Sequence, residues 1–381
     1  MQTLSNFFKE YGECAAMTSN HYIRPIGLIN APTVKEEERF FGGLPLTGDG
    51  GLFYSAVEIW QRMNDGQISR NTISLGELWE KEFGLDGSEI GQALERISDP
   101  RGRLAGLSFE QALIMGIVNV TPDSFSDGGQ SFTTQDAVDH ALRLEDEGAD
   151  ILDIGGESTR PNAAVVSVED ELKRVMPVIE ALAGRVDARI SIDTRKAQVM
   201  QEAVHGGADM INDVSALTYD EESLMVAANC GVPVILMHAQ GVPQTMQDKP
   251  AYENVLLDVF DYLSERIEAC VKAGISRSQL IVDPGIGFGK TVGHNLELIH
   301  SVSLFHGLGV PILMGASRKG FIGEINQQPT ADLRLPGSLS VALSAVSQGI
   351  QIVRVHDVRE TRQALDIWRA IGQAGIIEGG V

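Results

Sequence analysis

Residues able to do acid–base, metal or anion chemistry recur at one kind of position in this chain. Asn119, Asp153 with Glu157, Asp193, Asn212 with Asp213, His238, Asp283, the triplet Ser317-Arg318-Lys319, and Arg354 with His356 each stand at or just past the end of a short apolar run. One aspartate in such a place reads most simply as the cap of a following helix. Eight runs that each end in a carboxylate, amide, imidazole or cation read instead as one site assembled from many strand ends. Two loops, TPDSFSDGGQ (121–130) and ESTRPNAAVVS (157–167), set Phe125 between two serines and Arg160 before Pro161. Loops that close over a substrate explain both placements better than plain surface connections do.

Several other chemistries are excluded. In DPGIGFGKT (283–291) three residues separate Gly285 from Gly289-Lys290-Thr291, where a phosphate loop has four, and G-x-G-x-x-G is not met. These glycines are read as allowing a sharp turn, or backbone close to a flat ligand. No G-x-S-x-G elbow precedes a helix, no H-E-x-x-H occurs, and the eight histidines lack metal-ligand spacing. His140, His205, His300 and His306 fall in helix patterns and are expected in solvent, whereas His238 and His356 end strands and keep a functional reading. With 30 Lys+Arg against 52 Asp+Glu, the net charge of −22 argues against general nucleic-acid or membrane-surface binding. An anionic substrate would need a local basic pocket. Three scattered cysteines, no signal pattern in the first residues and no apolar stretch of membrane-spanning length give the expectation of a reduced, cytoplasmic protein.

The elements that must position these residues follow from periodicity. From Ala112 onward, eight apolar runs alternate with amphipathic helix patterns: 112–120, 150–156, 188–193, 209–216, 232–238, 280–287, 310–317 and 351–357. They are nearly continuous in Val, Ile, Leu and Met, as strands buried on both faces require. Ser167 with Asp170 marks one helix start, and Thr133 or Thr134 opens another that ends at Gly148. Eight such units point to an α/β fold of the (β/α)8 TIM-barrel kind, with a doubly wound open sheet as the rival. Residues 1–110 read as a small α+β extension, with strands at 21–30 and 51–62, helices at 75–83 and 88–97, a turn-rich loop at 42–51 and a linker near Asp99-Pro100-Arg101-Gly102. The expected domains are thus 1–110, to which the sequence assigns no role, and 111–381, the catalytic barrel.

The motifs GIVNVTPDSFSDGG (116–129), DIGGESTRP (153–161), SIDTRKA (191–197), INDVSA (211–216), VDPGIGFGKT (282–291), GASRKGFIG (315–323) and VRVHDV (353–358) resemble those of the bacterial dihydropteroate synthases. The resemblance covers about two thirds of the chain, and some members carry an N-terminal extension of this general kind. It implies condensation of 6-hydroxymethyl-7,8-dihydropterin pyrophosphate with 4-aminobenzoate, giving 7,8-dihydropteroate and pyrophosphate. Carried over residue by residue, the pterin would be held by Asp193, Asn212, Met237, Asp283, Phe288, Gly315 and Lys319. The pyrophosphate would lie on Asn119, Thr159, Arg160, Arg354 and His356, and the 4-aminobenzoate on Phe125, Pro161, Ser317 and Lys319. Asp193, Asn212, Asp283, Lys319, Arg354 and His356 would form the catalytic set, and Mg²⁺ would sit near Asn119 and Asp127. A homodimer and sulphonamide binding are implied as well. The chemistry agrees: a pterin is a flat edge rich in donors that suits buried acceptors, and a departing pyrophosphate needs cations and N–H groups. Asn162, where many members have Gly, and Ala239 after His238 depart from the pattern without removing a chemical group. A pterin-binding methyltransferase module shares the barrel but should lack the TPDSFSDGG and SRK segments, and a non-catalytic paralogue should lack Asn119, Arg354 and His356.

Overall fold

A strand that is apolar on both faces needs helices outside it and a filled core inside it, and the barrel sheet meets both demands. The computed structural model describes residues 21–30, 43–48, 51–63, 65–80, 87–121, 133–158, 165–241, 246 and 248–374. The chain divides into two units: Met1–Arg101 with Ser301–Gly309 and Ala370–Val381, and Gly102–His300 with Val310–Arg369.

In the first unit, β1 (His21–Asn30), β2 (Leu44–Pro45), β3 (Leu52–Arg62) and β4 (Ile68–Ser74) form an antiparallel sheet in which β3 pairs with the other three. The helices Leu75–Glu80 and Gly87–Ser98 follow. The short strand β2 lies inside the stretch expected to be only a turn-rich loop, and β4 is a further strand that the apolar pattern did not mark. Exposed Arg70, Asn71 and Thr72 hide β4 from a search for buried runs. Buried Ile23, Leu46, Tyr54, Val57, Leu75, Leu94 and Ile97 make the core. Arg24 and Arg70 both donate to Glu58, Arg24 Nη1 at 2.9 Å. His306 corrects an expectation, because it is fully buried rather than solvated. Its segment, Val302–Leu308, is a 3-10 helix with every residue buried, tied in by Ser303 Oγ donating to Pro25 O and Arg96 Nε donating to Gly307 O.

The second unit is a near-closed barrel of eight parallel strands: β5 (Leu113–Asn119), β6 (Ile151–Gly155), β7 (Arg189–Asp193), β8 (Met210–Asp213), β9 (Val234–Met237), β10 (Leu280–Asp283), β11 (Leu313–Met314) and β12 (Ile352–Val355). Sequential strands pair from β5 to β10, β12 joins β5 to β11, and one bridge between Val282 and Ile312 links β10 to β11. All eight expected runs are therefore strands, each trimmed to its hydrogen-bonded centre. The expected helix starts also hold. Thr133 makes a reciprocal capping box with Asp136, and Ser167 Oγ accepts from the Asp170 N–H.

Side chains alternate along a strand, and this places the site. Met115, Ile151, Met210, Ile235, Ile281, Leu313 and Ile352 point inward to one apolar cluster, which Leu104, Ala105, Leu107 and Phe109 join from the segment before β5. Two residues further along the same inward faces stand Ile117, Asp153, Asn212, Met237, Asp283, Gly315 and Arg354. The barrel thus has an apolar floor, and directly above it a polar layer at the C-terminal ends of the strands.

Candidate active site

Arg354 on β12 is the hub of that polar layer. Its Nε donates to Asp153 Oδ2 at 2.6 Å and its Nη2 donates to Asp193 Oδ2 at 2.7 Å. Asn212 Nδ2 donates to the same Asp153 oxygen at 3.0 Å. One guanidinium and one amide thereby join β6, β7, β8 and β12 across the barrel mouth. Burial drives the Asp193 carboxyl up to about 7; Arg354 opposes the rise and Asp153 adds to it. Burial works against the Arg354 charge, but Asp153 and Asp193 outweigh it and hold the guanidinium above its ordinary value.

Asp283 ends β10, with Oδ1 accepting from the Gly285 N–H at 2.7 Å. Burial raises its pKa, while that N–H and the charges of Lys319, Arg354 and Lys290 pull it down. Gly315, just past β11, sits against it: a Cβ there would lie 3.5 Å from Asp283 Oδ2 and 3.9 Å from Arg354 Cβ. Lys319 lies over the Phe288 ring, Nζ 4.0 Å from its centroid. Ser317 Oγ lies 3.0 Å from His356 Nδ1 and accepts from the His356 N–H at 3.2 Å. Met237, at the end of β9 and 4% exposed, and half-buried Asn119, at the end of β5, complete the rim.

The structure thus brings together Asp193, Asn212 and Arg354 in one network, Asp283 with Gly315, Phe288 with Lys319, and Ser317 with His356. Phe125, Asp127, Thr159, Arg160 and Pro161 lie outside the described residues. Among the described residues no group of three or more His, Cys, Asp or Glu is arranged to hold a metal ion.

Other residues prove to support the site from outside. Asp213 is a turn cap, accepting from Ser215 N–H and Oγ and from the Leu217 N–H, and burial lifts it to about 6. Glu157 takes Arg195, Lys196 and the Val166 N–H, and although burial pushes it up these partners hold it below the usual carboxylate range. Arg318 has its backbone in the left-handed region, φ 57, and faces outward to Asp357 and Asp332, which leaves Ser317 and Lys319 on its two sides toward the site.

Two members were missed as site residues. Asp153 was noted only as a strand end, although its parity with Ile151 places it inward. Lys290 was set aside with the phosphate-loop reading, yet it is 2% exposed and bonded to His238. Burial drives the neutral His238 ring down to about 2, with the Lys290 charge adding to the effect. A lysine beside three glycines gives no sequence signal of burial.

A ring of buried acceptors beside a paired guanidinium, a lysine and an imidazole can hold a flat, donor-rich heterocycle and meet negative charge at its edge. Comparisons with known proteins agree with that chemistry. The pterin binding enzyme family matches residues 115–356. Dihydropteroate synthase of Escherichia coli (strain K12) is 49% identical over 258 residues, spanning 68% of this chain and 90% of that enzyme. The dihydropteroate synthase of Yersinia pestis in a sulphonamide drug complex superposes with a TM-score of 0.67 at 46% identity, covering 70% of this chain and 96% of that one. The Xanthomonas albilineans enzyme with 4-aminobenzoic acid gives 0.66 at 48% identity, over 70% and 96%. The chain belongs to the pterin-binding enzyme family and, within it, to the dihydropteroate synthases.

Proposed function

We propose that this protein condenses 6-hydroxymethyl-7,8-dihydropterin pyrophosphate with 4-aminobenzoate, giving 7,8-dihydropteroate and pyrophosphate. The observation that carries the reading is the inward polar layer of Asp153, Asn212, Asp283 and Arg354, with Asp193 bound to Arg354, in a chain so similar to these synthases.

Asp193, Asn212 and Asp283 accept from the donor edge of the pterin. Met237, Phe288 and Gly315 supply the flat apolar walls, and Lys319 donates to the ring carbonyl. Substitution takes place at the pterin methylene: the bond to the pyrophosphate oxygen breaks, and the aminobenzoate nitrogen forms the new C–N bond and releases a proton. His356 and the N–H groups of Arg354 not used by the two aspartates stabilise the charge on the leaving oxygens, with Thr159 and Arg160 joining them. Ser317 and Lys319 receive the 4-aminobenzoate carboxylate, and Phe125 and Pro161 cover its ring. A sulphonamide would compete for that place.

Mg²⁺ belongs to this reading. Asn119 presents an amide oxygen, a hard donor of the type this cation takes alongside substrate phosphates and water, and Asp127 would join it. When bound, the ion would neutralise charge on the diphosphate. We further propose a homodimer in the cytoplasm, with residues 1–110 as an extension of the catalytic barrel. Three cysteines without pairing spacing support the location, and none of the described helices is long and apolar enough to cross a membrane.

Asn119, Arg354 and His356, whose loss would mark a non-catalytic relative, are all present. The test is to supply both substrates and identify the product by mass. Dihydropteroate in the wild type, with little or none in Asp283→Asn, supports the assignment. Binding of both compounds without product would contradict it.

A further inference from the structure

The lysine of the glycine-rich segment has no place in the reaction just described, yet it is more deeply buried than any residue that touches substrate through charge. Lys290 Nζ lies 2.9 Å from Gly285 O, 3.0 Å from Phe288 O, 2.8 Å from His238 Nδ1 and 3.4 Å from His238 O. Its partners are carbonyls and a ring nitrogen rather than a carboxylate. Burial penalises the charge and pulls Lys290 down to about 7, so its hydrogen bonds must be nearly complete, and an apolar residue would serve mere packing better. What the ammonium does is gather the backbone carbonyls of two chain segments, Gly285–Phe288 and His238, onto one point.

Those segments are the ones that carry the pterin contacts. Gly285, Gly287 and Gly289 all have positive φ, at +68, +83 and +63. A Cβ on Gly285 would lie 1.8 Å from His238 O, and one on Gly289 would lie 2.4 Å from Gln240 O, so the segment is pressed onto the chain that leaves β9. The Gly285 N–H is the partner of Asp283 Oδ1. Phe288, whose carbonyl Lys290 holds, presents its ring to Lys319. A Cβ on Gly287 would come within 3.2 Å of Lys319 Cδ. Tyr252 and Asn295 tether the same segment from outside, Tyr252 Oη donating to Gly289 O at 2.7 Å and the Gly287 N–H donating to Asn295 Oδ1 at 2.7 Å.

We propose that Lys290 is a positioning residue for the pterin subsite: by binding Gly285 O, Phe288 O and His238 together it fixes the Phe288 ring beneath Lys319 and the N–H that orients Asp283. The inference rests on the reading of this site as a pterin pocket. It differs from a merely structural role in where the loss should fall. Without the ammonium, Phe288 and the Gly285 N–H that orients Asp283 lose their register, whereas Ser317, Lys319 and His356, which Lys290 does not bind, keep theirs.

The experiment compares wild type, Lys290→Met and Lys290→Gln in steady-state assays with each substrate varied in turn. Lys290→Met should raise the KM for the pterin pyrophosphate by about tenfold or more, the scale of a displaced buried hydrogen-bonding partner. The KM for 4-aminobenzoate should stay within about twofold of wild type, since that subsite keeps its contacts. Lys290→Gln retains two N–H donors for the two carbonyls and should fall between wild type and Lys290→Met. Should Lys290→Met not fold, the glutamine variant alone decides, with a pterin-selective rise in KM supporting the proposal. A fall in kcat with both KM values unchanged would overturn it, as would equal rises in both. A wild type that makes no dihydropteroate would instead remove the functional reading beneath it, so the two failures are distinguishable.

Discussion

Removing the Arg354 guanidinium by Arg354→Met should destabilise the barrel strongly, and in a pH-dependent way. The substitution leaves Asp153, which is fully buried, with Asn212 Nδ2 as its remaining donor, and deprives Asp193 of its cation. Breaking a buried pair from one side typically costs about 3–5 kcal/mol. Asp193 is already held up to about 7 by burial, so at pH 5 it is protonated and asks less of the guanidinium than at pH 7. The loss in Arg354→Met should therefore be about 3–5 kcal/mol at pH 7 and smaller at pH 5. Asp153→Asn in the same background should restore part of it, with a coupling on the order of 1–3 kcal/mol. Urea unfolding of the four proteins of this cycle, followed by circular dichroism at both pH values, measures each quantity. Equal losses at pH 5 and pH 7, or strictly additive effects of the two substitutions, would refute the claim that the guanidinium neutralises these two carboxylates.

Asp283→Asn should weaken pterin binding by roughly 10–150-fold, the equivalent of a charge-assisted hydrogen bond, which calorimetry with the pterin substrate can read. Activity should vanish in excess chelator and return with added Mg²⁺; full activity without the metal would remove Asn119 and Asp127 from any metal role. Phe125→Ala should raise the 4-aminobenzoate KM and leave pterin affinity nearly intact, and equal changes in both would misplace that residue. His238, driven to about 2 in the folded state by burial and by the Lys290 charge, gives stability that is present above the unfolded value of about 6.5 and is lost as pH falls below it. Between pH 7.5 and 5.5 the wild type should thus lose about 1.4 kcal/mol that His238→Gln does not lose; matching losses would mean that the imidazole is not held neutral.

The barrel was legible because each strand is buried on both faces, so its run of apolar residues is unbroken and needs no tertiary knowledge to find. The polar layer was legible for a related reason. An aspartate or arginine two residues beyond an inward Ile or Met shares its face, as Asp153 follows Ile151 and Arg354 follows Ile352. Partnership inside that layer was not legible. Arg354 is expected in the catalytic set and on the pyrophosphate, but nothing in the sequence pairs it with Asp153 and Asp193, on two strands brought near it only by closure of the sheet. Strand β4 escaped because its residues are mostly exposed. His306 escaped because residues 301–309 belong to the unit built by the first hundred residues, a contact across about two hundred positions of chain. Lys290 escaped because lysine composition signals solvent, and only the loop geometry shows an ammonium bonded to backbone carbonyls.

The polar layer is proposed to hold the pterin while pyrophosphate leaves its methylene and 4-aminobenzoate takes its place. That role is tested most directly by following pyrophosphate release from the purified protein with the pterin substrate, with and without 4-aminobenzoate. Sustained release should depend on 4-aminobenzoate and match dihydropteroate formed one to one. Release at the same rate without the amine, or none under either condition, would contradict it.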